Sequence, residues 1–174
     1  MQLVVPSSKY KESFLEMLNE YRQTKAGGRV DLSALNPLSL KKDFQAYVTQ
    51  LTNEARGEHL PKGYVASTTY WLIDEGELIG RVNIRHMLTQ HLMREGGHIG
   101  YDIRPTKRNQ GYGKKILAFA LSKAKALGIA RALVTCDETN LASKKVIEAN
   151  GGVFENSVLL GINRSRKFRY WITL

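Results

Sequence analysis

The chain has a single cysteine, Cys136, among 174 residues, so no internal disulfide can form, and its four histidines show no ligand spacing for a structural zinc site. A reducing compartment and a metal-free protein follow as expectations. No apolar run of about 18 residues occurs, and the opening Met-Gln-Leu-Val-Val-Pro lacks the basic region and longer apolar stretch of a signal peptide. These absences predict a soluble, cytoplasmic protein without a membrane partner. No internal repeat, low-complexity tract or linker interrupts the sequence, and its length predicts one domain over residues 1–174. With 43% hydrophobic and 24% charged residues, disorder and fibrous repeats are excluded. Acidic residues are scarce: 16 Asp+Glu against 26 Lys+Arg give a net charge of +10. A polyanionic partner is favoured, whether a nucleotide-like ligand, nucleic acid or an anionic membrane, and composition alone does not choose among them.

The scarcity is sharpest between Asp102 and Asp137. No acid falls in that interval, while Arg104, Lys107, Arg108, Lys114, Lys115, Lys123, Lys125 and Arg131 do. Within it, Arg108-Asn109-Gln110-Gly111-Tyr112-Gly113-Lys114-Lys115 joins an apolar strand-like run, Gly100 to Ile103, to a helical pattern starting at Ile116. Glycine tolerates positive φ and has no Cβ, so the N–H groups of Gly111, Tyr112 and Gly113 can be approached closely by phosphate oxygens. Lys114 and Lys115 sit in the opening helical turn, where the dipole disfavours cations by about 0.3 to 1 kcal/mol each. An anionic ligand is the simplest missing counter-charge. A dinucleotide-binding Gly-x-Gly-x-x-Gly does not fit, because Ile116 stands where the third glycine belongs.

The order Arg108-x-x-Gly111-x-Gly113, after a strand and before a helix, resembles the acetyl-coenzyme A signature of the Gcn5-related N-acetyltransferases (GNAT). His98-Ile-Gly-Tyr-Asp-Ile-Arg-Pro105 is similar to that family's central strand, and Cys136-Asp-Glu-Thr-Asn140-Leu-Ala-Ser143 to its second cofactor motif. The similarity spans about Gly76 to Gly152. It implies an α/β (α+β) fold: a mixed, mostly antiparallel sheet of about six to seven strands with a parallel, splayed central pair, flanked by about four helices. It also implies acetyl-coenzyme A as acetyl donor, a primary amine as acceptor, and a pantetheine arm entering between the strands ending at Ile103 and Cys136. The residues implied for the cofactor are Ile103, Arg108, Gln110, Gly111, Tyr112, Gly113, Lys114, Lys115, Asn140 and Ser143. For Asn140 an ordinary helix N-cap is the competing role, and the two can coexist.

Along the chain, Gln2–Val5 reads as a short strand, and Ser7 or Ser8 caps a helix with Phe14, Leu15, Leu18 and Tyr21 on one face. Gln23–Leu38 reads as loop with room for a short helical turn. Ser39 precedes one amphipathic helix through Leu40, Phe44, Tyr47, Val48, Leu51 and Ala55. Thr68–Asp74 and Glu77–Ile84 form a hairpin around Glu75-Gly76, a bend follows at Leu88–Glu95, and His98–Arg104 is the next strand. Gly128 ends the helix after the cradle. Ala132–Cys136 is a buried strand parallel to His98–Arg104, Asn140–Asn150 a helix, and Val153–Gly161 and Lys167–Thr173 two antiparallel strands.

Many family members carry a tyrosine seven residues after the asparagine, placed to protonate the leaving thiolate; this chain has Ile147. Cys136 is tempting as a nucleophile, but a lone cysteine ending a buried strand is more often a small apolar filler. Direct attack by an amine is favoured, and a base must then remove its proton. His98, near-neutral in titration and on the same strand face as Gly100 and Asp102, is the catalytic candidate, with a structural edge histidine as the equal alternative. Asp102, His86 and Glu95 rank behind it. A basic nucleic-acid-binding module, using Arg164, Arg166, Lys167 and Arg169 interleaved with Phe168, Tyr170 and Trp171, is the other function class, and an acetyltransferase acting on a ribosome- or RNA-associated protein would unite the two. Loops 23–38, 57–67 and 87–96 are expected to select the acceptor, with no legible code; a homodimer is compatible with the sequence.

Overall fold

The computed structural model describes residues 1–24, 35–161 and 166–174. The described residues form seven strands and six helices, in the order β1 (Gln2–Val4), α1 (Lys11–Thr24), α2 (Pro37–Lys42), α3 (Phe44–Arg56), β2 (Ser67–Asp74), β3 (Glu77–Arg85), α4 (Gln90–Arg94), β4 (Ile99–Ile103), α5 (Tyr112–Ala126), β5 (Arg131–Asp137), α6 (Leu141–Glu148), β6 (Val153–Leu159) and β7 (Arg166–Thr173). Strands β1 to β4 form an antiparallel sheet in chain order. Strands β5, β7 and β6 form a second, with β7 between the other two.

Period-two alternation gives the first sheet two different faces. Leu72, Val82, Ile84 and Ile99 pack against Ile116, Leu117, Ala120 and Ala124 of α5, while Trp71, Ile73 and Leu78 meet Phe14, Met17 and Leu18 of α1 and Phe44, Tyr47 and Val48 of α3. The β2–β3 register shifts between Leu72 and Ile73, where Ile79 of β3 is left without a cross-strand partner. The helix expected as one piece after Ser39 is two. Asn36 caps α2, with Pro37 in its first turn, and Asp43 then leaves helical geometry (φ −142°) to cap α3 by accepting from Ala46 N–H at 2.9 Å. Ser7 caps a single 3-10 turn, Ser8–Tyr10, ahead of α1 rather than α1 itself. The bend before β4 contains the short α4, capped by Thr89. The expected loop from Gln23 is in part helix, since α1 runs to Thr24; residues 25–34 lie outside the described set.

The expected parallel pairing of β4 with β5 is not formed among the described residues: the two strands lie in different sheets, and the bridge between their segments is of antiparallel type. A single bridge joins Gly97 to Val134, and beyond it no ladder connects the two among the described residues. Each strand is paired on its other side only, β4 with β3 and β5 with β7.

Candidate active site

The splay begins at a staple. His98 N–H donates to Leu133 C=O at 2.7 Å, and Leu133 N–H donates back to His98 Nδ1 at 2.9 Å, so an imidazole nitrogen takes the place of a backbone carbonyl. Gly97 makes this approach possible, because a Cβ there would lie 2.4 Å from Leu133 O. Past the staple the register of β4 with β3 turns the backbone groups of Gly100 and Asp102 toward Asn83 and Arg81. By the same alternation the N–H and C=O of Tyr101 and Ile103 face the open slot. The Ile103 carbonyl is already taken: Tyr21 Oη donates to it at 2.9 Å and Arg108 Nε at 3.2 Å, with the Arg108 guanidinium 5.4 Å from the Tyr21 ring centre. Burial, then the Asp102 charge, pushes the Tyr21 phenol up to about 12, so it stays a donor.

The cradle follows at once. Asn109 (φ 60°) and Gly111 (φ 82°) are left-handed, and Gly111 stands at the N-cap of α5 without any side-chain cap. Lys114 and Lys115 N–H both reach Gly111 O, at 3.1 and 3.4 Å. The N–H groups of Gly111, Tyr112 and Gly113 therefore precede the helix's own ladder. Gln110 is tied back by Nε2 to Thr106 O at 3.0 Å, and Tyr112 Oη donates to Asp74 at 3.1 Å, anchoring the first turn to β2. Lys115 lies 5.7 Å from the Tyr112 ring centre, and Lys114 is exposed. A Cβ on Gly113 would meet Val146 of α6 at 3.1 Å and Tyr101 at 4.0 Å. Gly113 is thus the point where α5, α6 and β4 converge.

On the α6 side, Asn140 Oδ1 accepts from Ser143 N–H at 2.9 Å, the N-cap role. Ser143 Oγ lies 3.5 Å from Tyr101 Oη. Ile147 is fully buried in the α5 core cluster, and Cys136, 4% exposed, belongs to the same cluster.

Part of the basic excess before the cradle is balanced within the protein and needs no ligand. Arg104 is buried, and its guanidinium meets Glu20 at 2.5 Å, Glu77 at 2.8 Å and Glu16 at 3.2 Å; Lys107 meets Glu77 at 2.6 Å. Acids distant in sequence supply those partners. Burial raises the Glu20 carboxyl, but hydrogen bonds from Arg104 and Thr106 outweigh it and hold the group below the ordinary carboxylate range. This network ties α1 and the β3 start to the segment entering the cradle.

A cleft of roughly 1280 Å³ opens on the opposite face of the first sheet. It is lined by α3, residues 58–65, the polar side chains Ser67, Thr69, Arg81, Asn83 and Arg85, part of α4, and Gly100 of β4. Two of the three loops expected at the acceptor site border it; most of the third lies outside the described residues. His98 is half-buried, and burial, then the Arg85 charge, lowers its pKa. His86 Nε2 pairs with Thr68 Oγ1 at 2.8 Å, Glu95 with Lys167 at 3.8 Å, and Asp102 faces Arg81 at 3.9 Å. The basic C-terminal strand is largely neutralised as well, through Lys167 with Asp137 (2.7 Å) and Arg169 with Glu155 (2.9 Å), while Arg164 lies outside the described residues.

A family model for the acetyltransferase (GNAT) domain matches residues 22–153, more than half of the chain. The chain belongs to the GNAT acetyltransferases. It is an acetyl-coenzyme A-dependent N-acetyltransferase domain, and the glycine cradle fits that ligand: an uncapped helix start whose N–H groups can be approached without a Cβ in the way. A search of curated proteins found no match. Solved GNAT structures share the fold. The microcin self-immunity acetyltransferase MccE, solved with acetyl-CoA and AMP, has a TM-score of 0.70 at 15% identity over 99% of this chain and 91% of its own. RimJ of Mycobacterium smegmatis, with a CoA disulfide, gives 0.72 at 16% identity over 98% and 80%. RimL, a ribosomal-protein α-N-acetyltransferase solved with coenzyme A, gives 0.72 at 14% over 99% and 93%. Among the described residues no helix is long and apolar enough to cross a membrane, and no cluster of His, Cys, Asp and Glu could hold a metal ion.

Proposed function

We propose that this GNAT domain transfers the acetyl group by direct attack of a primary amine entering from the α3-side cleft, with the pantetheine arm in the β4 and β5 splay. The observation that carries this reading is that β4 and the segment following it bear three features together: an unladdered strand edge, the N-terminal turn of α5, and a polar cleft reaching Gly100. Bound acetyl-coenzyme A supplies the activated acyl carbon. The N–H groups of Gly111, Tyr112 and Gly113 receive the pyrophosphate, with Arg108, Gln110, Lys114 and Lys115 around them. The backbone of Tyr101 and the Ile103 N–H pair with the pantetheine amides, and Asn140 and Ser143 border the arm from α6.

His98 is assigned to position the slot rather than to take the proton. Its Nδ1 lone pair is engaged by Leu133 N–H, so the neutral ring carries its proton on Nε2; freeing Nε2 as a base would set a protonated Nδ1 against a second donor. Proton removal falls to water in the polar cleft, where the Arg81 and Arg85 guanidinium groups disfavour an ammonium. Tyr101 and Ser143 are the hydroxyls on the thiolate side that stand in for the tyrosine missing at Ile147. Cys136 stays a packing residue, and single cysteine usage fits a cytoplasmic enzyme. The test is steady-state kinetics of thiol release with a panel of amines: sequential kinetics, retained in Cys136→Ala, support direct attack, and a parallel-line pattern lost in that variant would overturn it.

A further inference from the structure

The cleft floor is polar where a sheet face under a helix is ordinarily apolar. Cross-strand register aligns Thr69, Asn83 and Gly100 in one row and Trp71, Arg81 and Asp102 in the next. Asn83 is fixed by giving its Nδ2 protons to the hydroxyls of Ser67 (3.0 Å) and Thr69 (3.2 Å). Arg81 is different. It is 7% exposed, yet Nη1 reaches Tyr47 Oη only at 3.4 Å, and Nε, with no hydrogen-bond partner, stands 3.9 Å from Asp102 Oδ2. Nη2 makes no hydrogen bond among the described residues. Asp102 answers the charge at that distance but is too far to take the protons. A buried guanidinium with unused donors is costly, and this one borders the cleft.

We infer that Arg81 is a specificity-determining residue of the acceptor site and that it takes an oxygen, carbonyl or carboxylate, carried by the amine substrate. The inference rests on the acetyl-transfer reading above. Nε is sealed against Asp102, so Nη2 is the donor open to an sp² oxygen, and Gly100, beside Asn83 in the adjoining row, leaves the way from Arg81 to the β4 edge clear of a side chain. The lining acids Asp43, Glu54 and Glu58 come from α3 and its two ends, whereas Arg81 and Arg85 come from the sheet; Lys62 adds one cation from the loop after α3. An acceptor bearing an amine and an oxygen matches this polarity; a bare alkyl polyamine brings only cations to the floor.

The experiment compares an amino acid, its amide and the alkylamine lacking the oxygen, in wild type, Arg81→Lys, and Arg81→Met combined with Asp102→Asn. The double variant removes both charges, so no buried carboxylate is left unpaired. In wild type kcat/KM for an oxygen-bearing acceptor should exceed that for the alkylamine by about tenfold to a hundredfold, and the double variant should erase the preference, mostly through KM. The free amino acid against its amide tells a carboxylate from a carbonyl. Calorimetry on the coenzyme A-loaded protein with the N-acetyl amide and the N-acetyl alkylamine reads the same preference without turnover. Equal binding of the two, or a preference unchanged in both variants, overturns the inference. Loss of coenzyme A binding in wild type would instead overturn the acetyl-transfer reading, and this inference with it.

Discussion

Replacing His98 separates a positioning role from a proton-transfer role. In His98→Ala the main-chain bond from residue 98 to Leu133 O survives, but the buried Leu133 N–H loses its acceptor. Leaving a buried donor unsatisfied costs about 1 to 3 kcal/mol, a Tm loss of about 2 to 12 °C for a chain of this size. In His98→Asn, Oδ1 falls close to the former Nδ1 position and can accept the same bond, so most of that loss should be recovered. Because the staple sets where the strands part, His98→Ala should raise KM for acetyl-coenzyme A while kcat changes less, and His98→Asn should restore KM. A general base would behave otherwise, with both variants losing about 10² to 10⁴ in kcat and the ionisation on the rising limb of the pH profile disappearing. The imidazole also predicts a pH effect. Its folded pKa lies below the unfolded one, so its contribution is complete above the ordinary histidine value near 6.5 and is lost as pH falls through the folded pKa. His98→Asn should flatten that decline. Thermal unfolding between pH 5 and 8, with thiol-release kinetics, checks both halves; an Asn variant as stable as wild type yet as inactive as Ala would refute the staple argument.

Other expectations follow from the same geometry. Gly111→Val should abolish coenzyme A binding by calorimetry, since a β-branched residue resists φ 82°, although open space surrounds the site. Gly113→Val should also abolish it, through contact with Val146, and adding Val146→Ala should restore part of the affinity; no restoration would remove that contact as the cause. Arg104→Met should destabilise the fold by about 1.5 to 3 kcal/mol in urea titration, because the partly exposed Glu20 and Glu77 lose their hydrogen bonds to a buried charged donor. Glu20, held low, contributes stability that is complete above the ordinary carboxylate pKa and lost as pH falls through its folded value, so Glu20→Gln should shrink the acid loss of stability. Coenzyme A affinity should fall with rising salt, while RNA should not be retained even at low salt; steep, salt-dependent RNA binding would restore the nucleic-acid alternative.

The family and the glycine turn that starts α5 were legible in the sequence because both depend on local chemistry. The Arg108, Gly111 and Gly113 spacing fixes a strand-to-helix turn whose backbone conformation is set within a few residues, and Asn140 caps whatever helix follows it. Apolar periodicity likewise marked the strands and α5. One helix was read where there are two, since Asp43 caps α3 without breaking the apolar spacing on either side. Charge was harder to read. The acid-free interval looked unbalanced in one dimension, yet Glu16, Glu20 and Glu77 close on Arg104 in three. His98 kept two roles open in the sequence, because period-two alternation gives the face of a side chain and not the partner of its nitrogen; only the meeting of β4 with β5 brought Nδ1 to Leu133 N–H. The polar floor of the cleft was likewise invisible, since Thr69, Arg81, Asn83 and Gly100 come from three strands whose register the tertiary structure alone decides.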